Sequence, residues 1–495
     1  MRSEFDIVVI GGGVNGAGIA RDAAGRGYSV CLVEQNDFGG ATSSASTKLI
    51  HGGLRYLEHY AFRLVRESLQ ERAVLQRAAP HIIWPLRFVL PHHGGLRPAW
   101  LIRLGLFLYD HLGGKQLVPK STRVRLKQHP AGQLLKSDFH TGFIYSDCWV
   151  EDSRLVILNA MDAEAHGASV HNRTKLIAAK PQEKGWHLEL QDKDGSRSIT
   201  CKMLVNAAGP WAMDVLQRTA NSQNKADLRL IKGSHLIFDR KMPSEDAFLL
   251  QNTDGRITFL IPYEGRFTLV GTTDVDVSGT AGPVDISEDE ISYLLEMVNP
   301  YLQTPFSREE IYSSYAGVRP LYDDGSDNAA KANRDYHLDI SHQEGAPLLS
   351  IFGGKLTTYR RLAESALEHI NEVFGAKRPS WTAGKVLPGG DFDSQPVLAK
   401  QLQKQIVDMS DDVAIRLVRA YGTKVFDFIG DASSVSDLGT QFGYGLSEAE
   451  LIYLVENEYA KSAEDILWRR SKLQLHLSKT QIGQIESWFA NHPSL

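Results

Sequence analysis

Three glycines near the start of the chain have the spacing of a dinucleotide-binding turn. Gly11, Gly13 and Gly16 form the pattern G-x-G-x-x-G, and Glu34 follows about 20 residues later. The first glycine permits a tight turn, the second lets backbone approach a pyrophosphate, and the third allows close packing of helix on strand. Glu34 can accept hydrogen bonds from ribose hydroxyls, and its charge favours a free diol over a 2′-phosphate. The pattern therefore predicts an FAD or NAD site.

The elements around these glycines match that chemistry. Residues 5–10 are mostly β-branched and predict a parallel strand buried on both faces, residues 17–26 a helix and residues 28–34 a second strand. Two further glycine turns, Ala208-Gly209 and Gly353-Gly354, each follow a predicted buried strand. An NAD site needs one such turn, whereas a long FAD molecule laid across the strand ends can use several. The sequence therefore favours FAD.

Composition excludes several classes of protein. The net charge of −5 argues against a dedicated nucleic-acid binder, so no nucleic acid is expected as a partner. Cys31, Cys148 and Cys201 are too sparse and too widely spaced for a disulfide framework or a zinc site, so no metal is predicted. We expect a cytoplasmic protein, because the first apolar run is too short for a signal peptide and no run spans a bilayer.

Longer motifs resemble one enzyme family over essentially the whole chain. Residues 41–57, ATSSASTKLIHGGLRYL, are very similar to a signature of FAD-dependent glycerol-3-phosphate dehydrogenases. The same resemblance extends to YSDCWV at 145–150, NAAGPW at 206–211, KGSH at 232–235, GTTD at 271–274, GVRPL at 317–321 and GGKLTTY at 353–359. It is closest to the compact bacterial respiratory form. Gly39-Gly40 departs from it, since a cysteine or similar small residue is expected there.

The fold class that follows is α/β, with a Rossmann-like FAD-binding domain of the glutathione-reductase/amino-acid-oxidase type. The FAD-binding domain is predicted to be discontinuous, over residues 1–85, 142–215 and 340–388. Residues 86–141 and 216–339 are predicted to form a substrate-binding or cap region with an antiparallel sheet, and 391–495 a mostly α C-terminal domain. The chain's length suits two or three domains.

The resemblance implies oxidation of sn-glycerol 3-phosphate to dihydroxyacetone phosphate, with hydride passing from C2 to flavin N5. The substrate phosphate needs cationic donors, for which we select Arg55, Arg319 and Arg334. Arg319 could instead be a buried arginine paired with a carboxylate. The C2 hydroxyl needs a proton acceptor. His235 is the first choice and His51 the second, and an arginine or lysine assisting the transfer is left open.

A second set of residues is assigned to FAD. The turn from Gly354 into the next helix can stabilise charge near flavin N1 and O2, and Lys355 adds a positive charge close to substrate or flavin. Lys355 and Thr357 are also substrate candidates. The full set of FAD candidates is Gly11, Gly12, Gly13, Asn15, Gly16, Glu34, Gln35, Thr42, Ser43, Ser44, Ser46, Lys48, Leu49, His51, Ala208, Gly209, Trp211, Gly354, Leu356 and Thr357.

The resemblance also implies that electrons leave to membrane quinone. Residues 96–109 are apolar, aromatic and basic, so they could lie in a lipid interface without crossing it, or cover the protein's own core. We expect peripheral attachment to the cytoplasmic face of the cell membrane. The alternatives are an oxidase that gives electrons to oxygen and a non-catalytic flavin-binding membrane sensor. A homodimer and the identity of the quinone are left open.

Overall fold

The computed structural model describes residues 2–219, 228–251, 256–279, 282–322 and 335–492. Its helices are α1 Val14–Gly25, α2 Phe62–Ala78, α3 Ala99–Leu112, α4 Asp152–Ala165, α5 Ala212–Arg218, α6 Glu288–Val298, α7 Tyr359–Val373, α8 Gln395–Gln405, α9 Asp411–Tyr421, α10 Val425–Ile429, α11 Glu448–Asn457 and α12 Lys479–Asn491.

The strands are β1 Glu4–Ile10, β2 Val30–Val33, β3 Leu49–Ile50, β4 Ile83–His92, β5 Thr122–Arg125, β6 Thr141–Val150, β7 Ser169–His171, β8 Lys175–Gln182, β9 Gly185–Asp192, β10 Gly195–Asn206, β11 Leu228–Phe238, β12 Ala247–Gln251, β13 Ile257–Tyr263, β14 Phe267–Gly271, β15 Val275–Val277, β16 Ile311–Tyr322, β17 His337–Gln343, β18 Ala346–Phe352, β19 Gln441–Gly443 and β20 Leu446–Ser447.

The first sheet brings the three predicted glycine turns together. Its strand order is β17-β18-β10-β1-β2-β7, and β8 and β9 extend it from β10. Five strands in this order run parallel to one another, β18, β10, β1, β2 and β7, and β17 is antiparallel to β18. Because parallel strands end at the same edge of a sheet, the turns after β1, β10 and β18 lie side by side. This is the edge at which open α/β sheets bind their ligands.

Both faces of this sheet are covered, as the β-branched composition of β1 predicts. Ile7, Val8 and Val9 are fully buried. Helices α1, α4 and α7 pack together on one face, and the hairpin strands β8 and β9 lie with α5 on the other. The prediction of a central parallel strand is therefore confirmed.

The second sheet is largely antiparallel and holds the predicted substrate region. Its order is β15-β11-β14-β13-β12-β4-β6-β3, with β16 paired to β11 and β5 to β6. The strands β4 and β6 pair along their whole length, from Ile83 opposite Val150 to His92 opposite Thr141. Residues 142–150, assigned from the sequence to the first domain, thus belong to the second sheet, because their hydrogen-bond partners are there.

The apolar run 96–109 becomes α3, which has two different faces. Leu106 and Tyr109 are buried against the second sheet, while Trp100, Leu104 and Phe107 are 69%, 47% and 51% exposed. Among the residues that the structure describes, no helix is both long enough and apolar enough to cross a membrane.

The C-terminal region has its own core of leucine, isoleucine and tyrosine side chains from α8 to α12. It joins the first sheet through buried ion pairs. Arg154 of α4 pairs with Glu458 at 2.7 Å, and Asp37 pairs with both Arg469 and Arg470. The two arginines end a π-helical segment, Asp465–Arg470.

The three cysteines are free and buried. Burial raises the pKa of Cys31 and of Cys148 to about 12, so these thiols stay protonated near neutral pH. Within the described ranges, no cluster of His, Cys, Asp or Glu side chains could hold a metal ion.

Candidate active site

A cavity of about 720 Å³ runs along the carboxyl ends of β1, β10 and β18 and continues toward the second sheet. Its volume lies within the range of about 300–1,000 Å³ usual for cofactor and ligand sites. The predicted residues on its wall are Gly11, Gly12, Gly13, Asn15, Glu34, Gln35, Thr42, Ser43, Ser46, Leu49, His51, Arg55, Ala208, Gly209, Trp211, Arg319, Gly354, Lys355, Leu356 and Thr357.

The first glycine turn is built by close backbone approaches. Gly11 has a φ of +111°, and a Cβ there would lie 2.4 Å from the carbonyl oxygen of Ala207. A Cβ on Gly16 would lie 1.9 Å from the Gly11 oxygen. Gly16 does not line the cavity, because its role is to let α1 pack against the turn, as its position in the pattern predicts.

Glu34 lies at the end of β2 and faces the cavity. Its Oε2 accepts the Gly12 N–H at 2.7 Å, and its Oε1 accepts the Asn36 N–H at 2.8 Å. Burial raises the pKa of this carboxyl, and the two backbone N–H groups oppose that rise. The glutamate therefore ties β2 to the glycine turn while standing where a ribose diol is predicted.

The polar loop after β2 divides into cavity-facing and inward-facing side chains. Ser43 Oγ accepts the Val14 N–H at 3.0 Å, and Thr42 Oγ1 donates to the Val318 oxygen at 2.6 Å. Ser44 and Lys48, although predicted to bind FAD, do not line the cavity. Lys48 is buried and its Nζ pairs with Asp152 at 2.9 Å, so its charge is already neutralised within the protein.

Two buried polar atoms on the wall fit a polar ligand. Asn15 Nδ2 donates to the Gly353 oxygen at 3.1 Å and so joins the first and third glycine turns. Within the described part of the chain, Asn15 Oδ1 and Lys355 Nζ are buried without a hydrogen-bond partner. Burying such groups unpaired is costly. A dinucleotide lying along the three turns would offer partners, so the lining fits FAD.

Three cationic side chains line the cavity, Arg55, Arg319 and Lys355. Arg319 comes from β16 of the second sheet, and Lys355 Nζ lies 4.3 Å from the centre of the Tyr56 ring. Arg319 forms an ion pair with Asp274, and its Nη2 donates to Thr272 Oγ1 at 3.0 Å. Arg319 was predicted either to bind the substrate phosphate or to pair with a carboxylate. In the structure it has a carboxylate partner and also lines the cavity. Arg334 lies outside the described residues.

The two candidate histidines occupy different places. His51 lines the cavity, and its N–H donates to Thr357 Oγ1 at 3.2 Å. His235 is fully buried behind Thr47, with Nε2 3.0 Å from Thr47 Oγ1 and its ring stacked on Tyr315. Burial lowers the pKa of His235 well below its usual range, and the charges of Arg319 and Lys48 add to this effect.

Sequence reasoning did not single out several other residues on the wall. Tyr56, Thr272 and Asp274 lie inside quoted motifs, so the motifs carried the signal although no role was assigned. Arg256 also lines the cavity and lies 5.0 Å from the Tyr293 ring centre. It belongs to no motif, and only its tertiary position brings it to the site.

The parallel sheet, its three glycine turns and the cavity across them define a flavin-dependent oxidoreductase. Residues 6–360 match the family model described as FAD dependent oxidoreductase, and the chain belongs to that family. Residues 380–483 match the C-terminal domain of alpha-glycerophosphate oxidase.

The chain is also similar to individual proteins of known name over nearly its whole length. The chain is 50% identical to the glycerol-3-phosphate dehydrogenase of Pseudomonas aeruginosa, covering 99% of this chain and 96% of the relative. It is 46% identical to the D-erythritol 1-phosphate dehydrogenase of Brucella abortus, covering 98% of each chain. The solved glycerol-3-phosphate dehydrogenase of Bacillus halodurans, complexed with FAD, superposes with a TM-score of 0.77 at 28% identity, covering 99% of this chain and 91% of the other.

These findings confirm the predicted fold class and FAD as the cofactor. The resemblance to FAD-dependent glycerol-3-phosphate dehydrogenases is also confirmed.

Proposed function

We propose that this chain oxidises sn-glycerol 3-phosphate to dihydroxyacetone phosphate and passes the electrons to membrane quinone. One observation carries the proposal. The cavity that joins the three glycine turns is also lined by Arg55, Arg319 and Lys355. A cofactor site and a cationic anion site in one cavity suit a phosphorylated substrate that must react with FAD.

In this proposal the cations hold the substrate phosphate. Arg319 presents a planar guanidinium that can form paired hydrogen bonds to phosphate, and Asp274 and Thr272 keep it oriented. Lys355 supplies a compact charge whose Nζ is buried and unpaired within the described residues. Arg55 and, from the family resemblance, Arg334 are proposed as further phosphate ligands.

We assign the proton transfer to His51 rather than to the first candidate, His235. A general base must reach the proton that it removes, and its pKa should lie near the working pH. His51 lines the cavity, whereas His235 does not, bonds to Thr47 on the wall and has a strongly depressed pKa. His235 then acts as a positioning residue, which orients the Thr47 hydroxyl.

When bound, FAD supplies the acceptor for the hydride that leaves C2. The oxidation needs one hydride removed from C2 and one proton removed from its hydroxyl, which together leave a ketone. Lys355, Leu356 and Thr357, in the turn just before α7, line the cavity and bring the Lys355 charge beside it. Positive potential there favours the negative charge that a reduced flavin carries.

The test of the substrate is reduction of the bound flavin without oxygen. Glycerol 3-phosphate should bleach the flavin absorption of the FAD-loaded protein close to stoichiometrically. D-erythritol 1-phosphate is the matched comparison, because a relative named for it is 46% identical. If only D-erythritol 1-phosphate bleached the flavin, the substrate assignment would be wrong. If neither did, the proposed activity would be wrong.

The electron acceptor has its own test. With glycerol 3-phosphate under air, the protein should form little hydrogen peroxide and should reduce a quinone analogue instead. Rapid peroxide formation would identify the rival activity, an oxidase.

Helix α3 supports peripheral attachment to the cytoplasmic face of the membrane. Trp100, Leu104 and Phe107 form an exposed apolar stripe at helical spacing, flanked by exposed Arg97 and Arg103. Such a helix can lie in a lipid interface, with its basic side chains toward anionic headgroups.

The attachment is tested by sedimentation with vesicles that contain anionic lipid. The double variant Trp100→Ser, Phe107→Ser should bind less and reduce a membrane quinone more slowly. Val397→Ser, Val407→Ser is the control, because these valines are 64% and 80% exposed in the C-terminal region. Equal binding by wild type and the α3 variant would contradict the proposal.

A further inference from the structure

The loop from His51 to Tyr56 carries five residues of the cavity wall, among them His51, Arg55 and Tyr56. Two of its backbone N–H groups are held by side chains from elsewhere in the fold. The N–H of His51 donates to Thr357, and the N–H of Gly52 donates to the hydroxyl oxygen of Tyr109 at 2.8 Å and to Asp147 Oδ1 at 3.2 Å. The second anchor belongs to a buried charged network.

Asp147 is the centre of that network. It lies on β6 and on the cavity wall, is 3% exposed, and accepts Arg72 Nη1 at 2.5 Å. The Tyr109 hydroxyl donates its one proton to the Asp147 carboxylate, whose two oxygens lie 2.7 and 2.9 Å away, while the hydroxyl oxygen accepts from the Gly52 N–H. Arg72 is held in turn by the Ser146 carbonyl at 2.7 Å and by Gln116 Oε1 at 2.9 Å. The two oxygen atoms that accept from the Gly52 N–H are therefore held in fixed positions.

The packing around Gly52 leaves no room for a side chain at this position. A Cβ on Gly52 would lie 2.4 Å from Leu69 Cδ2 and 2.7 Å from the Tyr109 hydroxyl. The next residue, Gly53, has a φ of +72°, and a Cβ there would lie 2.2 Å from the Tyr56 ring. The turn at Gly52 and Gly53 therefore packs tightly against Tyr109 on one side and against Tyr56 on the other.

We propose that Tyr109 and Asp147 are positioning residues for the substrate, because they fix the loop that carries His51 and Arg55. The inference rests on the proposed function of that loop. Tyr109 comes from α3, and its side chain points opposite to the exposed Trp100 and Phe107. The surface helix is therefore part of the support of the active site, in addition to any contact that its outer face makes.

The test is Tyr109→Phe, which keeps the ring and removes the hydroxyl that links Gly52 to Asp147. Tyr263→Phe is the matched control. Tyr263 is 1% exposed, lies in the same hydrophobic cluster, and has a hydroxyl without a hydrogen-bond partner among the described residues. Turnover is measured per bound flavin with a soluble electron acceptor, so that membrane attachment does not enter. Inhibition by inorganic phosphate reports separately on the anion site.

We expect Tyr109→Phe to lower kcat/KM for glycerol 3-phosphate roughly fivefold to tenfold, the effect of one lost buried hydrogen bond. The inhibition constant for inorganic phosphate should rise, while the flavin content and flavin spectrum stay as in wild type. Asp147→Asn should change the same two quantities in the same direction. Tyr263→Phe should leave both unchanged.

The inference is overturned if Tyr109→Phe and Asp147→Asn lower only the melting temperature, or if Tyr263→Phe changes the kinetics equally. Failure of the proposed function looks different, because glycerol 3-phosphate would then not reduce the flavin of the wild-type protein.

Discussion

Asp37 provides a sharp test of how the C-terminal region supports cofactor binding. It lies on the loop after β2, between Glu34 and the cavity-lining Gly39 and Gly40. Its carboxylate is 1% exposed and accepts Arg469 Nε at 2.5 Å and Arg470 Nη2 at 2.9 Å. The neighbouring Phe38 packs edge-on against Tyr459, with ring centres 5.2 Å apart. Asp37→Asn keeps the volume of the side chain and removes its charge.

The expected loss follows from burial. Removing one partner of a buried ion pair costs about 3–5 kcal/mol, because the other charge is left uncompensated. We take the lower value, since Arg469 keeps a second carboxylate partner in Asp465. If this energy opposes closure of the loop on FAD, about 3 kcal/mol corresponds to a rise of roughly 10²-fold in the Kd for FAD, at about 1.4 kcal/mol per tenfold.

The assay is titration of the apoprotein with FAD, followed by flavin fluorescence, with thermal unfolding measured in parallel. Asp162→Asn is the control, because Asp162 pairs with Arg21 at 2.5 Å between α4 and α1, away from the loop. This control should lower the melting temperature with a much smaller change in FAD affinity. If Asp37→Asn bound FAD like wild type, or if Asp162→Asn lost as much affinity, the reasoning would be refuted.

Four further predictions concern single side chains. Glu34→Ala should weaken FAD binding roughly 10–100-fold, because charge-assisted hydrogen bonds are lost, and full flavin occupancy after dialysis would contradict this. Arg319→Ala should raise KM and lower kcat in steady-state assays, since a phosphate ligand also orients the reacting carbon. His51→Asn should lower kcat by about 10²- to 10⁴-fold and His235→Asn by less, and the reverse order would return the base to His235. Burial lowers the pKa of His81 from 6.5 to about 3, so the unfolded chain binds more protons between these values and stability is lost as pH falls below about 6.5. Between neutral pH and pH 3, the free energy of unfolding of His81→Phe should therefore fall by about 4–5 kcal/mol less than that of wild type, at about 1.36 kcal/mol per pKa unit. Denaturant unfolding measured across this pH range checks the difference.

Local sequence was enough to predict the cofactor end of the site. The turn at Gly11 needs a positive φ and a close backbone approach, and both requirements are expressed by residue type at fixed spacing. The burial of β1 is likewise local, since it follows from its β-branched composition. Hence the glycine turns, Glu34 and the helix that follows the first turn could be predicted.

The division between the two sheets could not be predicted in the same way. The strands β4 and β6 are apolar in composition, and nothing within them states that they pair with each other. Register and partner are decided by hydrogen bonds between residues far apart in the sequence. The boundaries near residues 85 and 142 therefore depended on tertiary structure.

The same reason separates the candidate site residues. The sequence by itself determined which residue types were available, a lysine at 48, histidines at 51 and 235 and an arginine at 319. Tertiary structure alone decided that Lys48 is neutralised by Asp152, that His235 lies behind Thr47, and that His51 faces the cavity. Charge, burial and reach depend on partners that the chain brings together only on folding. A motif predicts which residues are candidates for a site, but only the tertiary structure determines which of them line the cavity.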